Sequence, residues 1–247
     1  MFSFLKKKPV DETREEQLED LSYQYDVLAS LASANLDAMK RAEVAESLSA
    51  AAQIRDLAAS GLDCDALPNA TGEFGRSIAN PIPVNGVLGE LKYLSRLLCR
   101  CGKQMLFHRL ASCCFPAQGD TETTRDVYEA VCRNGVHWDV LFLHMYHPRR
   151  STLYPRGYTA RDYNPVFLKV PAGFGTNHLD QDFPFGLRAY LEDFLRSRLG
   201  TELGATACRV TIGHYEADIK DRSRFVRPPE HLRNLKAAAE LLGSLDA

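Results

Sequence analysis

A stretch rich in arginine and tyrosine, between His147 and Tyr163, carries the most distinctive side-chain chemistry of the sequence. It contains four arginines, three tyrosines, two prolines and a single acidic residue. Guanidinium groups bind phosphates or carboxylates through paired hydrogen bonds, and tyrosine rings offer faces for stacking. We therefore predict a loop that binds an acidic or phosphorylated ligand; a solvated loop with its tyrosines folded onto the body is the alternative. The candidate ligand-binding residues are Arg149, Arg150, Tyr154, Arg156 and Tyr158.

Three histidines and a carboxylate have the residue types of an acid–base or metal-dependent active site. His144 and His147 lie three residues apart at the end of an apolar segment, and His178 is followed by Asp180. Residues three apart on a strand face opposite sides of a sheet, so the first two histidines can share a cavity only if the strand ends before Pro148. We keep the three histidines and Asp180 as catalytic candidates, and packed or hydrogen-bonded strand histidines are the alternative.

Four cysteines surround His108, and thiolates together with an imidazole are ligands that zinc prefers. Their spacing argues against a metal, because zinc ligands commonly occur as Cys-x₂₋₄-Cys, whereas Cys99 and Cys101 share one strand face and Cys113 and Cys114 lie on opposite faces. Free cysteine also packs well as a small apolar residue in buried strands. We therefore expect no metal or other cofactor. Zinc held by Cys99, Cys101, His108 and Cys113 is the alternative.

Several common enzyme motifs are absent from the 247 residues. The sequence has no Walker-type phosphate loop, no Gly-x-Gly-x-x-Gly after a strand, no Gly-x-Ser-x-Gly elbow and no His-Glu-x-x-His. The formal net charge is only -2, so no global basic field attracts nucleic acid or an anionic membrane. A partner of either kind would need a local basic patch.

Cysteine usage and hydropathy favour a reducing, cytoplasmic location. Seven cysteines are an odd number, and the short apolar start of the chain precedes its lysines, which is the reverse of a secretory signal. The most apolar run, 140–146, is much shorter than the roughly 20 residues that span a bilayer. We therefore expect a soluble protein that is not inserted in a membrane.

The first 61 residues are predicted to form a helical arm, because 11–60 contain no glycine or proline and are rich in helix-forming residues. An apolar stripe with heptad-like spacing changes register near residue 44, so one curved helix and a hairpin of two helices both remain open. The stripe needs cover from the body, a protein partner or a second copy of the chain. Residues 62–89 are rich in proline and glycine, and we predict an extended strap there.

The remaining residues, 90–247, are predicted to form an α+β body with a mainly antiparallel sheet and packed helices. Alternation from Glu90 to Ser112 indicates a β-hairpin that turns at 101–104. Thr123 to Cys132 resembles a short helix, and Val136 to Tyr146 is apolar enough to be a central strand. Further elements are expected as strands at 166–170 and 207–212 and as helices at 187–199 and 230–242.

Three functional hypotheses follow from these features. The first is a non-catalytic interaction or accessory protein that uses the arm for a protein partner and the arginine–tyrosine loop for an acidic ligand. The second is a metal-dependent or acid–base enzyme that uses the histidine–aspartate set. The third is a nucleic-acid-binding module centred on Arg149, Arg150 and Arg156.

Overall fold

The computed structural model describes residues 49, 52–116, 122–161, 183–184 and 221–245. Within these ranges the chain combines helices with a mixed β-sheet, which confirms an α+β composition. Of the predicted arm, only residue 49 and helix α1, residues 52–60, are described, and both are helical. The other arm residues, the elements predicted at 166–170, 187–199 and 207–212, and the candidates His178 and Asp180 lie outside the described residues.

Four strands of the described chain form one sheet, in the order β1-β5-β4-β3. The short β1 pairs with β5 in parallel, and the other neighbours are antiparallel. Two further strands, β2 and β6, form a separate antiparallel ribbon. In chain order the strands are β1 Ile82–Pro83, β2 Leu97–Cys99, β3 Met105–Pro116, β4 Glu122–Cys132, β5 Trp138–His144 and β6 Tyr158–Ala160.

The predicted hairpin is wrong in its first half, because Gly86–Arg96 is helix α2 and only Leu97–Cys99 is strand. The alternation that suggested a strand fails at Leu94, which is 1% exposed although it falls on the polar side of that pattern. Leu91, Leu94 and Leu97 are spaced by three residues and are all buried, which is the spacing of one helix face. The second half of the hairpin is confirmed as a strand, the start of β3, but it pairs with β4 and not with the residues before the turn.

The predicted helix at Thr123–Cys132 is also wrong, since these residues belong to the interior strand β4. Tyr128 and Ala130 pack into the core on one face of the sheet, while Val127 and Val131 pack on the other. A strand that is buried on both faces loses the polar–apolar alternation that identifies a half-exposed strand. The central strand predicted at Val136–Tyr146 is confirmed as β5.

Two helices accompany the two faces of the sheet. Leucines of α2 join the larger core, and Leu235 and Ala238 of helix α3, Pro229–Leu245, join the core on the opposite face. The last helix was therefore predicted correctly. The strap is extended as predicted at Ile82 and Val84, which are fully buried beside β5. None of the described helices has the length and apolar character that a membrane span requires.

Candidate functional site

Two turns with the same sequence pattern, Cys-Arg-x-Gly, follow strands β2 and β4. The first runs from Cys99 to Gly102, and the second from Cys132 to Gly135. In each turn the glycine amide donates to the cysteine carbonyl at 2.7 Å, and the glycine has a positive φ of 71° or 74°. Glycine adopts this left-handed conformation without the steric cost of a Cβ, so it permits both chain reversals.

The pairing of β3 with β4 brings the two turns together. Met105, at the start of β3, pairs with Cys132 at the end of β4, and the Arg133 amide donates to the Gln104 carbonyl at 3.0 Å. The second turn continues into a tight loop, in which the Cys132 amide donates to the His137 carbonyl at 2.9 Å. Residues separated by about 30 positions in the sequence therefore become neighbours.

Three thiols and one imidazole converge at this junction, and we call Cys99, Cys101, Cys132 and His137 the thiol cluster. Their sulfur and nitrogen atoms all lie within 4.8 Å of one another. The Cys101 and Cys132 sulfurs are 3.9 Å apart, and the Cys132 sulfur is 3.7 Å from His137 Nδ1. The three cysteines are free thiols, and Cys99 and Cys132 are buried whereas Cys101 is exposed. The cluster thus presents four electron-pair donors of the kind that bind soft cations.

The local environment shifts the pKa values of the cluster residues in different directions. Burial raises the pKa of the Cys99 thiol to about 12, with a further contribution from its hydrogen bond to Cys101. Burial also opposes ionisation of Cys101, but hydrogen bonds from the Cys99 thiol and the Lys103 amide outweigh it and lower the pKa of Cys101. Burial and the Arg100 cation lower the pKa of His137. Cys101 is therefore the more acidic of these two thiols, and the neutral form of the His137 imidazole is favoured.

A cleft of about 1010 Å³ adjoins the thiol cluster, with Cys99 and His137 in its wall. Its polar lining is organised around Asp139, which accepts hydrogen bonds from Arg76 Nε at 2.8 Å, from the Tyr158 hydroxyl at 3.0 Å and from its neighbour's amide, Val140 N, at 3.0 Å. The Arg76 guanidinium also lies over the Tyr158 ring at 5.6 Å. Asp139 is thus held in place by three separate donor groups.

Two exposed arginines occupy the same end of the β2–β6 ribbon and line the cleft. Cys99 pairs with Tyr158, so Arg100, one residue beyond Cys99, and Arg156, two residues before Tyr158, both lie just past that end of the ribbon. The Arg156 carbonyl accepts a hydrogen bond from Arg76 at 2.9 Å. Within the described part of the chain, neither the Arg100 nor the Arg156 guanidinium forms an ion pair.

The structure divides the predicted arginine–tyrosine loop between two roles. Arg149 forms ion pairs with Asp63 and Asp65, both at 2.6 Å, and Arg150 is 5% exposed. Tyr154 stacks on the Tyr93 ring at 5.6 Å. These three residues therefore join the loop to the body, and of the predicted set only Arg156 and Tyr158 line the cleft.

The two histidines His144 and His147 do come together, because β5 ends at His144. His147 Nδ1 donates to the Leu62 carbonyl at 2.7 Å, so its Nε2 accepts from His144 Nδ1 at 2.7 Å. Burial lowers the pKa of both, to about 2 for His144, and the Arg125 cation adds to this effect. The Cys64 sulfur lies 3.9 Å from His147 Nδ1. The pair is buried and does not line the cleft described above.

The remaining zinc candidates lie elsewhere. His108 donates to the buried Glu129 carboxylate at 2.8 Å, and Cys113 packs in the core beside α3. Sequence reasoning thus named two members of the thiol cluster, Cys99 and Cys101, and missed Cys132 and His137. The signal that identifies the missing turn is the repeated Cys-Arg-x-Gly pattern.

The chain matches no protein-family model, no curated protein and no solved structure. Its function is therefore inferred from the geometry of the cleft and the thiol cluster.

Proposed function

We propose that this protein is a non-catalytic binding protein that holds an anionic, phosphorylated or carboxylated ligand in the cleft beside the thiol cluster. The observation that carries this proposal is that two exposed arginines, Arg100 and Arg156, both line the cleft at the same end of the β2–β6 ribbon. Guanidinium groups donate paired hydrogen bonds to phosphates and carboxylates, and two of them suit a ligand with more than one anionic oxygen.

Besides Arg100 and Arg156, the charged residues of the lining are one arginine and three acids. The third arginine of the cleft, Arg76, is already paired with Asp139 and Glu73. The third acid of the lining is the exposed Glu230, and Arg100 and Arg156 are the two lining arginines that form no ion pair within the described residues. An anion bound in the cleft would interact favourably with both guanidinium groups.

Binding is supported better than catalysis because of how Asp139 is used. A general base needs a lone pair directed at its substrate, whereas the Asp139 carboxylate accepts from Arg76, Tyr158 and a backbone amide. The buried histidine pair, His144 and His147, lies apart from the lining. The enzyme hypothesis keeps His178 and Asp180, which fall outside the described residues, as further candidates.

The second part of the sequence hypothesis, a protein partner or a second copy bound through the N-terminal arm, stays a prediction, as does a cytoplasmic location. Most of the arm lies outside the described residues. Deleting residues 1–60 is expected to expose apolar surface and to increase dye binding or aggregation. A truncated chain as soluble and monomeric as the parent would contradict it.

The cleft is tested by titrating the full-length protein with inorganic pyrophosphate and, separately, with a short single-stranded oligonucleotide, using calorimetry. The double variant Arg100→Gln/Arg156→Gln is expected to bind pyrophosphate at least about ten-fold more weakly, since each charge-assisted hydrogen bond contributes roughly 1.5–3 kcal/mol.

The matched control is Arg233→Gln/Lys236→Gln, which removes two charges from exposed positions of α3 outside the lining. This variant should bind pyrophosphate like the parent. Equal weakening in both double variants, or no binding by the parent, would contradict the proposal. Salt-sensitive binding of the oligonucleotide alone would favour the nucleic-acid hypothesis instead.

A further inference from the structure

We propose that Cys99, Cys101, Cys132 and His137 form a structural zinc site that joins the two Cys-Arg-x-Gly turns. The proposal is independent of the cleft function, because it depends on the thiol cluster alone. Four protein ligands fill a tetrahedral zinc coordination sphere, which is the arrangement of structural rather than catalytic zinc.

The ligand set matches zinc chemistry in type and in size. Three thiolates and one imidazole are one of the common ligand combinations of structural zinc, with Zn–S bonds of about 2.3 Å and Zn–N bonds of about 2.0–2.1 Å. A tetrahedron with such bonds has edges of about 3.5–3.8 Å. The Cys101–Cys132 and Cys132–His137 separations, 3.9 and 3.7 Å, fall close to this value. The Cys99–Cys101 separation, 2.7 Å, needs a small side-chain rotation to widen.

Hydrogen bonds around the sulfurs support the ligand geometry. The His137 amide points at the Cys132 sulfur at 3.4 Å, and the Asn134 side-chain amide lies 4.0 Å from the Cys101 sulfur. Such donors orient metal-bound thiolates and stabilise their negative charge. The Cys132 sulfur therefore has its own donor before any metal is considered.

Charge balance gives a second, independent reason. Zinc with three thiolates and a neutral imidazole carries a net charge of about -1. Each of the two turns supplies one arginine, Arg100 and Arg133, directly after its first cysteine. The two arginines thus add positive charge to the two turns that would carry this negative charge.

The position of the site indicates what the metal would do. It would tie the β2–β3 turn, next to the β2–β6 ribbon, to the β4–β5 turn of the main sheet. Both Arg100 and His137 lie on the wall of the cleft, so the metal would also fix that wall.

The test is the zinc content of the full-length protein, purified under reducing conditions without a metal-chelating resin and measured by plasma mass spectrometry. About one zinc per chain is expected for the parent. The variant Cys132→Ser should lose it. The matched control Cys113→Ser, at a buried cysteine outside the cluster, should keep it.

Because Cys132→Ser can also fail to fold, the parent is titrated in parallel with cobalt after its metal has been removed. Thiolate-to-cobalt charge-transfer and tetrahedral ligand-field bands are expected in the absorption spectrum. A parent without zinc and without these bands would overturn the proposal. So would zinc retained by Cys132→Ser.

Discussion

Strand β4 carries two polar clusters, three residues apart and on opposite faces, that are built in contrasting ways. On the face toward α3, the buried Glu129 carboxylate accepts from Arg227 at 2.6 and 2.9 Å, from His231 at 2.8 Å and from His108 at 2.8 Å. On the other face, Cys132 belongs to a cluster that consists only of groups that bind cations. The first cluster contains its own counter-charge, whereas the second has the composition of a binding site.

The comparison shows that a buried cluster of polar groups can have a structural role and need not be a binding site. Aromatic rings enclose the Glu129 cluster, since Phe183 stacks on His108 at 4.0 Å and Trp138 lies 5.2 Å from the His231 ring. The cluster therefore joins α3 and residues 183–184 to the sheet. A buried charge that is paired and hydrogen-bonded on all sides acts in this way as a structural connection.

The largest effect is expected at the cluster that contains its own counter-charge. Glu129→Gln keeps the shape of the side chain but leaves the Arg227 cation without its carboxylate, and it places an amide donor among donors. We expect a loss of about 3–5 kcal/mol in the free energy of unfolding, measured by urea denaturation.

The control for this prediction is Glu240→Gln on the exposed side of α3, where the only described ion pair is a 3.8 Å contact with Lys236. It should change the free energy of unfolding by less than about 0.5 kcal/mol. A loss below about 1 kcal/mol for Glu129→Gln would show that the carboxylate is not held by Arg227.

An effect of intermediate size on the free energy of unfolding is expected when the pH is lowered. The pH range in which it occurs distinguishes the contribution of Glu129 from that of the buried histidines. His144 has a pKa lowered to about 2 by burial, while an unfolded histidine titrates near 6.5. Below about pH 6.5 the unfolded chain binds a proton that folded His144 does not, so stability falls by about 1.4 kcal/mol per pH unit. Because the unfolded histidine is only half protonated at pH 6.5, the loss between pH 6.5 and 4.5 amounts to about 2 kcal/mol.

The Glu129 contribution has a different window. Burial raises the pKa of Glu129, but hydrogen bonds from Arg227, His108 and His231 outweigh it and hold the pKa well below the ordinary value. Its stabilisation is therefore complete above about pH 4.3 and is lost only at lower pH. The variant His144→Asn keeps a donor for His147 and removes the titrating ring, so the decline between pH 6.5 and 4.5 should flatten. An unchanged pH profile would contradict the assignment to His144.

The smallest effects compare the two turns of the thiol cluster. A Cβ at Gly135 would lie 2.3 Å from the Arg224 carbonyl oxygen, whereas one at Gly102 meets nothing within 4 Å. Both glycines have positive φ, so Gly102→Ala should cost about 1 kcal/mol, and Gly135→Ala about 2 kcal/mol or more through the added clash. Thermal unfolding of the two variants, measured side by side, checks this order. Equal losses of stability would contradict this order and show that the backbone at Arg224 shifts to accommodate the new Cβ.

The elements that were predicted correctly are those whose sequence patterns depend on local chemistry. The apolar run of β5, the prolines of the strap and the amphipathic pattern of α3 were all identified correctly. Strand β4 was mistaken for a helix because it is buried on both faces, and α2 for a strand because polar residues such as Glu90 and Ser95 are buried in it.

Two of the four residues of the thiol cluster could be predicted from the sequence. The other two join it through the register of the β3–β4 pairing. Cys99 and Cys101 are adjacent enough to be noticed as a pair. Cys132 and His137 join them only because β3 and β4 pair from Met105↔Cys132 onwards, a long-range contact that residue spacing does not encode. The same limit applies to Arg149, whose partners Asp63 and Asp65 come from the strap.

X-ray absorption at the zinc edge of the purified full-length protein tests the central claim most directly, because it reports the atoms bound to the metal. Our account predicts three sulfur scatterers at about 2.3 Å and one nitrogen at about 2.0–2.1 Å. A coordination shell that contains only nitrogen and oxygen, or four sulfurs without an imidazole, would contradict it.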